Sequence, residues 1–573
     1  LDEETTKKKK ASDAFGSNSV GSWLEEMIRK QEGRKPIPDL DTPPRFETER
    51  ETGGRILKEF IPSVVRRHRL EPLVSEAEVL ASYGNVVITR VAGEPTPIYQ
   101  VRMPPLTPEE RKELEEIKER AITEIALDPE EIVDVNERRS VFAREVRRII
   151  ENDRETRSKI PVGKLDAIID LIVSDMIGYG PLDPLIADPN LEEVMVISHN
   201  KPVYVYHIKH GMCKTNIVFE REKDIRRIIE RIGRQVGRRI DQQSPLLDAR
   251  LPDGSRVNAT IPPVSIDGPT LTIRKFRQNP LTAIDLIDLR TMSTELAAFL
   301  WLCVDGLGVK PANILVSGGT ASGKTTLLNT LVSFIPHTDR VLSIEDTAEL
   351  QLPLPHWIRF ETRPPNIEGR GEITMDDLVK NSLRMRPDRI IVGEVRGPEA
   401  RTLFTGINTG HDGCMGTIHA NTAHETITRL LSPPMSVPEI MLPALDLIIM
   451  QSRIHSRTKG MIRRVSEVAE VTGMESGKVQ LSRLYKWNPK TDTTEETGVP
   501  SEIKQKIANF TGQTGDELNI EIKRRELVLD WMRSKRINNI YDFCDVVQEY
   551  YLHPDRVLER VQEDGFEGVG DVL

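Results

Sequence analysis

Cysteine is scarce in this 573-residue chain: Cys213, Cys303, Cys414 and Cys544 lie far apart and form no CxxC pair. That excludes a zinc-ribbon or disulfide framework and leaves reduced core or surface thiols. Aromatic residues make up only 5% of the chain, with no basic–aromatic stripe of the kind that tracks single-stranded nucleic acid. No apolar run approaches the length of a membrane span; Leu445-Asp446-Leu447-Ile448-Ile449-Met450 is far too short and carries an acid. The N-terminus is polar and lysine-rich rather than signal-like, so a cytoplasmic protein is expected, one able to dock on the inner face of a membrane assembly. The missing initial Met leaves open a processed, truncated or alternatively started chain. A net charge of −10 argues against a sequence-independent nucleic-acid binder, and no direct nucleic-acid contact is expected.

What is present is the size and charged, globular composition of two to four soluble domains. Residues 1–45 read as a mobile tail around one short helix, Trp23–Gln31, after the Lys7–Lys10 run. An α+β domain is expected over 46–280. It holds a hairpin of Val86–Val91 with Ile98–Val101, helices at 107–127, 140–153 and 162–177, and short strands at 194–197, 203–206 and 216–219. A helix at 223–239 and a strand at 268–276 complete it. From 281 to 573 the pattern changes. Strands are expected at 313–317, 340–345, 389–393, 414–418 and 446–452 with helices between, which argues for a mostly parallel α/β sheet, followed by a charged helical extension from Asp516.

The chemistry concentrates in Gly318-Gly319-Thr320-Ala321-Ser322-Gly323-Lys324-Thr325, set between the apolar run Ile314-Leu315-Val316 and the helical run that begins at Thr326. Strand, glycine-rich turn and helix form the context of a P-loop. The glycines let backbone N–H groups close around phosphates, and the helix N-terminus adds its positive dipole end. Lys324 is expected to reach the β- and γ-phosphates, and the Thr325 hydroxyl to ligate Mg²⁺.

Three further stretches sharpen this. Arg389-Ile390-Ile391-Val392-Gly393-Glu394 is an apolar strand ending in a carboxylate. A strand beside the P-loop strand would put Glu394 where it holds Mg²⁺ through water. Val341-Leu342-Ser343-Ile344-Glu345-Asp346-Thr347-Ala348-Glu349 places acids at another strand end, with Glu349 and Glu345 both candidates to activate water. His419, after Gly416-Thr417-Ile418, is placed to donate to the γ-phosphate, whereas for His411 a structural role is equally in view. Arg250, Arg256 and Arg274 before the loop, and Arg359, Arg363, Arg384 and Arg386 after it, are candidate phosphate clamps, from the same chain or a neighbour.

This ordered set of boxes resembles the ATPases of type II and type IV secretion systems, the superfamily that drives pilus assembly, secretion and the archaeal swimming filament. The resemblance runs from about Tyr99 to about Met474 and includes Gly178-Tyr179-Gly180-Pro181-Leu182 and Arg250-Leu251-Pro252-Asp253-Gly254-Ser255-Arg256. It implies a RecA-like P-loop motor domain after an α+β, PAS-like domain, and a homohexameric ring that works against a membrane platform protein with ATP and Mg²⁺. It also implies phosphate binding by 318–326, through Thr326, and metal binding by Thr325 and Glu394. Catalytic parts fall to Glu349, Glu345, Glu394 and His419, and arginine contacts to Arg250, Arg256 and Arg274. The tetracysteine module of bacterial pilus motors is absent, and the long N-terminal region and helical extension look like the archaeal branch. A nucleic-acid translocase with the same P-loop core is the alternative.

Overall fold

The computed structural model describes residues 77–566, less 103–106, 126–131, 133, 154–156, 158, 278, 366–369 and 457–459. The expected tail and its helix at Trp23–Gln31 lie outside the described residues, as does the start of the first domain.

The first half builds a nine-stranded sheet: β1 Ala77–Tyr83, β2 Val86–Val91, β3 Ile98–Val101, β4 Leu191–Val196, β5 Pro202–His207, β6 Gly211–Val218, β7 Leu246–Arg250, β8 Arg256–Thr260 and β9 Thr270–Arg274. Their order is β1-β2-β3-β6-β5-β4-β9-β8-β7, antiparallel except where β3 runs parallel to β6. The expected hairpin of β2 and β3 is present. Helix α1 (Pro108–Glu124) starts at a capping box: Thr107 and Glu110 satisfy each other's backbone N–H, with Pro at the first position. With α2 (Val135–Asn152) and α3 (Leu165–Ile177) it shares a core of Ile117, Phe142, Val146, Ile168 and Ile172. Helix α4 (Glu222–Gln235) lays Ile225, Ile228, Ile229 and Ile232, one stripe at helical spacing, on the sheet.

Helix α5 (Thr294–Asp305), capped by Ser293 and ended by Gly306 at φ 55°, leads into the second sheet and is buried from Leu296 onward. The strands are β10 Ile314–Ser317, β11 Val341–Glu345, β12 Trp357–Glu361, β13 Arg389–Val395, β14 Met415–Ile418, β15 Leu447–Ser456, β16 Gly460–Glu475, β17 Lys478–Asn488 and β18 Thr493–Glu496. Their order is β12-β11-β13-β14-β10-β15-β16-β17-β18; β12 through β15 are parallel and the last three antiparallel. Helices α6 (Lys324–Val332), α7 (Met375–Ser382), α8 (Glu399–Asn408) and α9 (Ala423–Leu431) follow the parallel strands in the doubly wound manner. This is a RecA-like α/β domain preceded by an α+β region.

The chain ends in α10 (Glu502–Thr511), α11 (Gly515–Ser534), α12 (Ile540–Leu552) and α13 (Pro554–Glu563). These four helices dock on the second sheet's domain. The Glu470 carboxylate on β16 accepts from the Ser501 hydroxyl and from the Glu502 and Ile503 N–H groups, so a sheet residue caps α10.

Several expectations shift. The second helix begins at Val135 rather than Ser140, and the strand expected at 216–219 runs over Gly211–Val218. Strands β1, β7, β8, β12 and β16 to β18 are additions. They carry Asp, Arg, Glu and Lys on an open face, so their apolar alternation is weak.

Candidate active site

The P-loop leaves β10 at Ser317 and enters α6 at Lys324. Two glycines are required by contact as well as by conformation. A Cβ on Gly318 would lie 2.2 Å from the Gln451 carbonyl oxygen; Gly323 has φ 98°, and a Cβ there would press on Arg463. Lys324 is buried and its Nζ donates to the Gly319 carbonyl at 3.0 Å, folding back over its own loop. Burial pushes its pKa below the usual lysine value, and the nearby Glu394 carboxylate works against that. The Ser322 hydroxyl in the same loop is buried without a hydrogen-bond partner. A desolvated ammonium and an orphaned hydroxyl inside a glycine cradle suit a polyphosphate, which answers both.

Strand β14, not β13, is the neighbour of β10; β13 lies one strand further out. The expectation that Glu394 sits on the adjacent strand is therefore corrected: β14 intervenes and carries His419 at its end. Glu394 still reaches the site, because its Oε1 lies 3.2 Å from His419 Nε2. Lys324 Nζ lies 3.3 Å from His419 Nε2 and 3.5 Å from Nδ1, so the ring stands between the ammonium and the Glu394 carboxylate. Burial first, then the Lys324 charge, push the His419 pKa below its usual value, so the ring is neutral at neutral pH. His411 precedes β14 at the opposite end from His419 and takes no part.

The two acidic-box carboxylates have different surroundings. Glu345 is buried, and its Oε2 accepts from the Glu349 and Leu350 N–H groups at 2.7 and 3.0 Å, while Oε1 has no partner. Burial raises its pKa, against those backbone bonds. Gly393 makes room for it: a Cβ there would stand 2.9 Å from Glu345 Cγ. Glu349, on the loop that Glu345 holds, faces the first half of the chain. Its Oε1 is 3.2 Å from Arg256 Nη1 and 3.9 Å from Arg274 Nη1.

Those arginines form a row. Arg250 pairs with Arg256 across β7 and β8, and Arg256 with Arg274 across β8 and β9. Three like charges in register across adjacent strands repel unless anions face them. Glu349 and Glu361 are those anions here, Glu361 Oε2 lying 3.0 Å from Arg250 Nη1; Arg256 also donates to the Thr347 carbonyl at 2.8 Å. The Nε atoms of Arg250 and Arg256 are buried and unpartnered. Of the later arginines, Arg359 bonds the Leu350 carbonyl and Arg363 the Gly371 carbonyl, outside this row.

A family match now fits the geometry. Residues 176–494, more than half of the chain, match the family described as Type II/IV secretion system protein. The chain belongs to that family. Uncharacterized protein MJ0781 of Methanocaldococcus jannaschii is 34% identical over 556 residues, covering 67% of this chain and 77% of its own. A putative conjugal transfer protein of Mycobacterium tuberculosis is 34% identical over 324 residues, 55% of this chain and 90% of its own. The crystal structure of the VirB11 ATPase from the Brucella suis type IV secretion system is 26% identical. It covers 50% of this chain and 91% of its own, with a TM-score of 0.25. Family membership, together with the intact P-loop and the acids around it, makes the protein an ATPase. No described helix is long and apolar enough to cross a membrane.

Two supporting residues carry no motif. Gln451 and Arg463, from β15 and β16, stand against the loop; the only sequence signal for either is a Gln ending the apolar run of β15.

Proposed function

We propose that the protein is a Mg²⁺-dependent ATPase ring motor, a homohexamer that powers an archaeal type IV pilus-like filament, by assembly or by rotation, or a related secretion machine. The row Arg250, Arg256 and Arg274 opposite the acidic box carries this reading. The row is matched now by Glu349 and Glu361, and phosphate oxygens are the stronger competing anion for arginine forks. ATP on the P-loop therefore gives the first half of the chain a reason to move relative to the motor. The pairing to acids holds one state and the pairing to phosphate the other.

In this account residues 318–326 cradle the phosphates, Lys324 neutralises the β,γ-bridge and His419 senses the γ-phosphate beside Glu394. Glu349 orients the attacking water once the arginines leave it. Glu345 is the positioning residue that fixes the Glu349 backbone. One hydroxyl, Thr325, and one part-exposed carboxylate, Glu394, suit Mg²⁺, which keeps most of its waters. Bound there, Mg²⁺ would neutralise charge developing on the phosphates. The expected partner is a membrane platform protein reached from the cytoplasmic face. The M. jannaschii relative fits the archaeal branch. For the nucleic-acid translocase alternative, the net charge of −10 offers no support.

The test is mass determination of the full chain with and without a non-hydrolysable ATP analogue. A shift toward six copies on adding the analogue is expected. A monomer under both conditions, at concentrations that saturate the nucleotide site, would sink the ring.

A further inference from the structure

Strand β10 has β14 on one side and β15 on the other. Glu345, Glu349, Glu394 and His419, which gather at the reacting end, come from β11, β13 and β14 or the loops that leave them. All lie on the β14 side. A nucleoside triphosphate laid along the loop with its γ-phosphate toward those groups must carry its nucleoside toward the β15–β16 hairpin. Arg463 stands at that end. Its Nε donates to the Ala321 carbonyl at 3.2 Å, and its Cδ lies 3.3 Å from where a Gly323 Cβ would be. Ala321 is itself held at φ 56°, which turns that carbonyl outward to meet the guanidinium. Among the described residues Arg463 pairs with no carboxylate, in contrast to its neighbour Arg464, which is locked on Asp492.

An arginine anchored through Nε alone has its planar guanidinium edge still to use. It is part-exposed and lies on the side of the loop away from the hydrolytic groups. A delocalised planar cation packs on the face of an aromatic ring and bonds hydroxyls along its edge, which a lysine ammonium does not do equally well. We propose that Arg463 is a nucleotide-binding residue that lays its guanidinium on the purine and ribose of bound ATP, so that the β15–β16 hairpin selects a nucleoside triphosphate over bare polyphosphate. This rests on the reading of the P-loop as the ATP site.

The experiment is calorimetric titration of the full chain with Mg–ADP and with Mg–tripolyphosphate, for wild type, Arg463→Ala and Arg463→Lys. The proposal expects Arg463→Ala to weaken ADP about tenfold and leave tripolyphosphate within twofold, with Arg463→Lys recovering little. Should Arg463→Ala unfold, Arg463→Gln, which keeps a donor for the Ala321 carbonyl, gives the same contrast. Equal losses for both ligands would mean that Arg463 supports only the loop or a phosphate, and would overturn the proposal. So would no loss for either. Wild-type protein that binds neither ligand would overturn the ATP site itself, and the role of Arg463 with it.

Discussion

Lys324→Ala is expected to lower ATP hydrolysis by about a hundred- to a thousand-fold, the cost of removing one charge-stabilising donor from a preorganised site. Three observations set that size. The ammonium is buried, so its interaction with phosphate is poorly screened by water. Its only donated bond within the loop, to Gly319, is one that a phosphate oxygen replaces without loss. Burial lowers its pKa, and an incoming polyanion offsets that cost, so binding and protonation favour each other. The fold should survive, since removing the ammonium removes a desolvation cost. Unchanged thermal unfolding beside lost turnover is the expected pair of results. A loss under tenfold would mean that Lys324 does not touch the reacting phosphates.

Arg525→Met is expected to destabilise the chain by about 3–5 kcal/mol, the cost of leaving one partner of a buried ion pair uncompensated. Arg525 on α11 is fully buried and holds both oxygens of Asp305, the last residue of α5, at 2.7 and 3.1 Å. Its Nε bonds Glu521 at 2.8 Å, and its guanidinium lies over the Trp301 ring, 5.1 Å from the centroid. Against the desolvation of burial, the Asp305 and Glu521 carboxylates hold it charged, above the usual arginine range. Trp301 in turn stacks on Phe334, just past the P-loop helix. The helical extension is therefore part of the ATPase domain's core. The melting temperature should fall by about 3–5 °C in the single variant, the shift expected for a chain of this length. Replacing both partners, Asp305→Leu with Arg525→Met, should recover much of it, because the fully buried pair is gone and the part-exposed Glu521 keeps the Tyr550 hydroxyl. Equal melting of wild type and Arg525→Met would refute this role.

Much of this was legible in the residues. The P-loop reads directly because only glycines fit beside the Gln451 carbonyl and at φ 98°, and because a strand and a helix flank them. Parallel strands buried on both faces, such as Ile314–Ser317 and Val341–Glu345, announce themselves as unbroken apolar runs. The long strands Gly460–Glu475 and Lys478–Asn488 do not, because their buried residues fall in short clusters among part-exposed Arg, Glu, Ser and Lys, and two of the buried ones are Arg464 and Glu470. Strand order is set by long-range pairing, which is why the sequence alone puts Glu394 one strand too close to the loop. The arginine row belongs to the same class. Arg250, Arg256 and Arg274 are visible singly, but their register comes from two strand pairings that no local pattern encodes. The unequal surroundings of Glu345 and Glu349 also needed coordinates, since burial of a carboxylate under two backbone N–H groups leaves no trace in spacing.

The most direct test is steady-state ATP hydrolysis by the full chain, with and without Mg²⁺, beside Glu394→Gln, with nucleotide affinity measured in parallel. The account predicts turnover that requires Mg²⁺ and falls at least a hundredfold in Glu394→Gln, while ATP still binds through the loop. Turnover that is insensitive to both the metal and the substitution would contradict it.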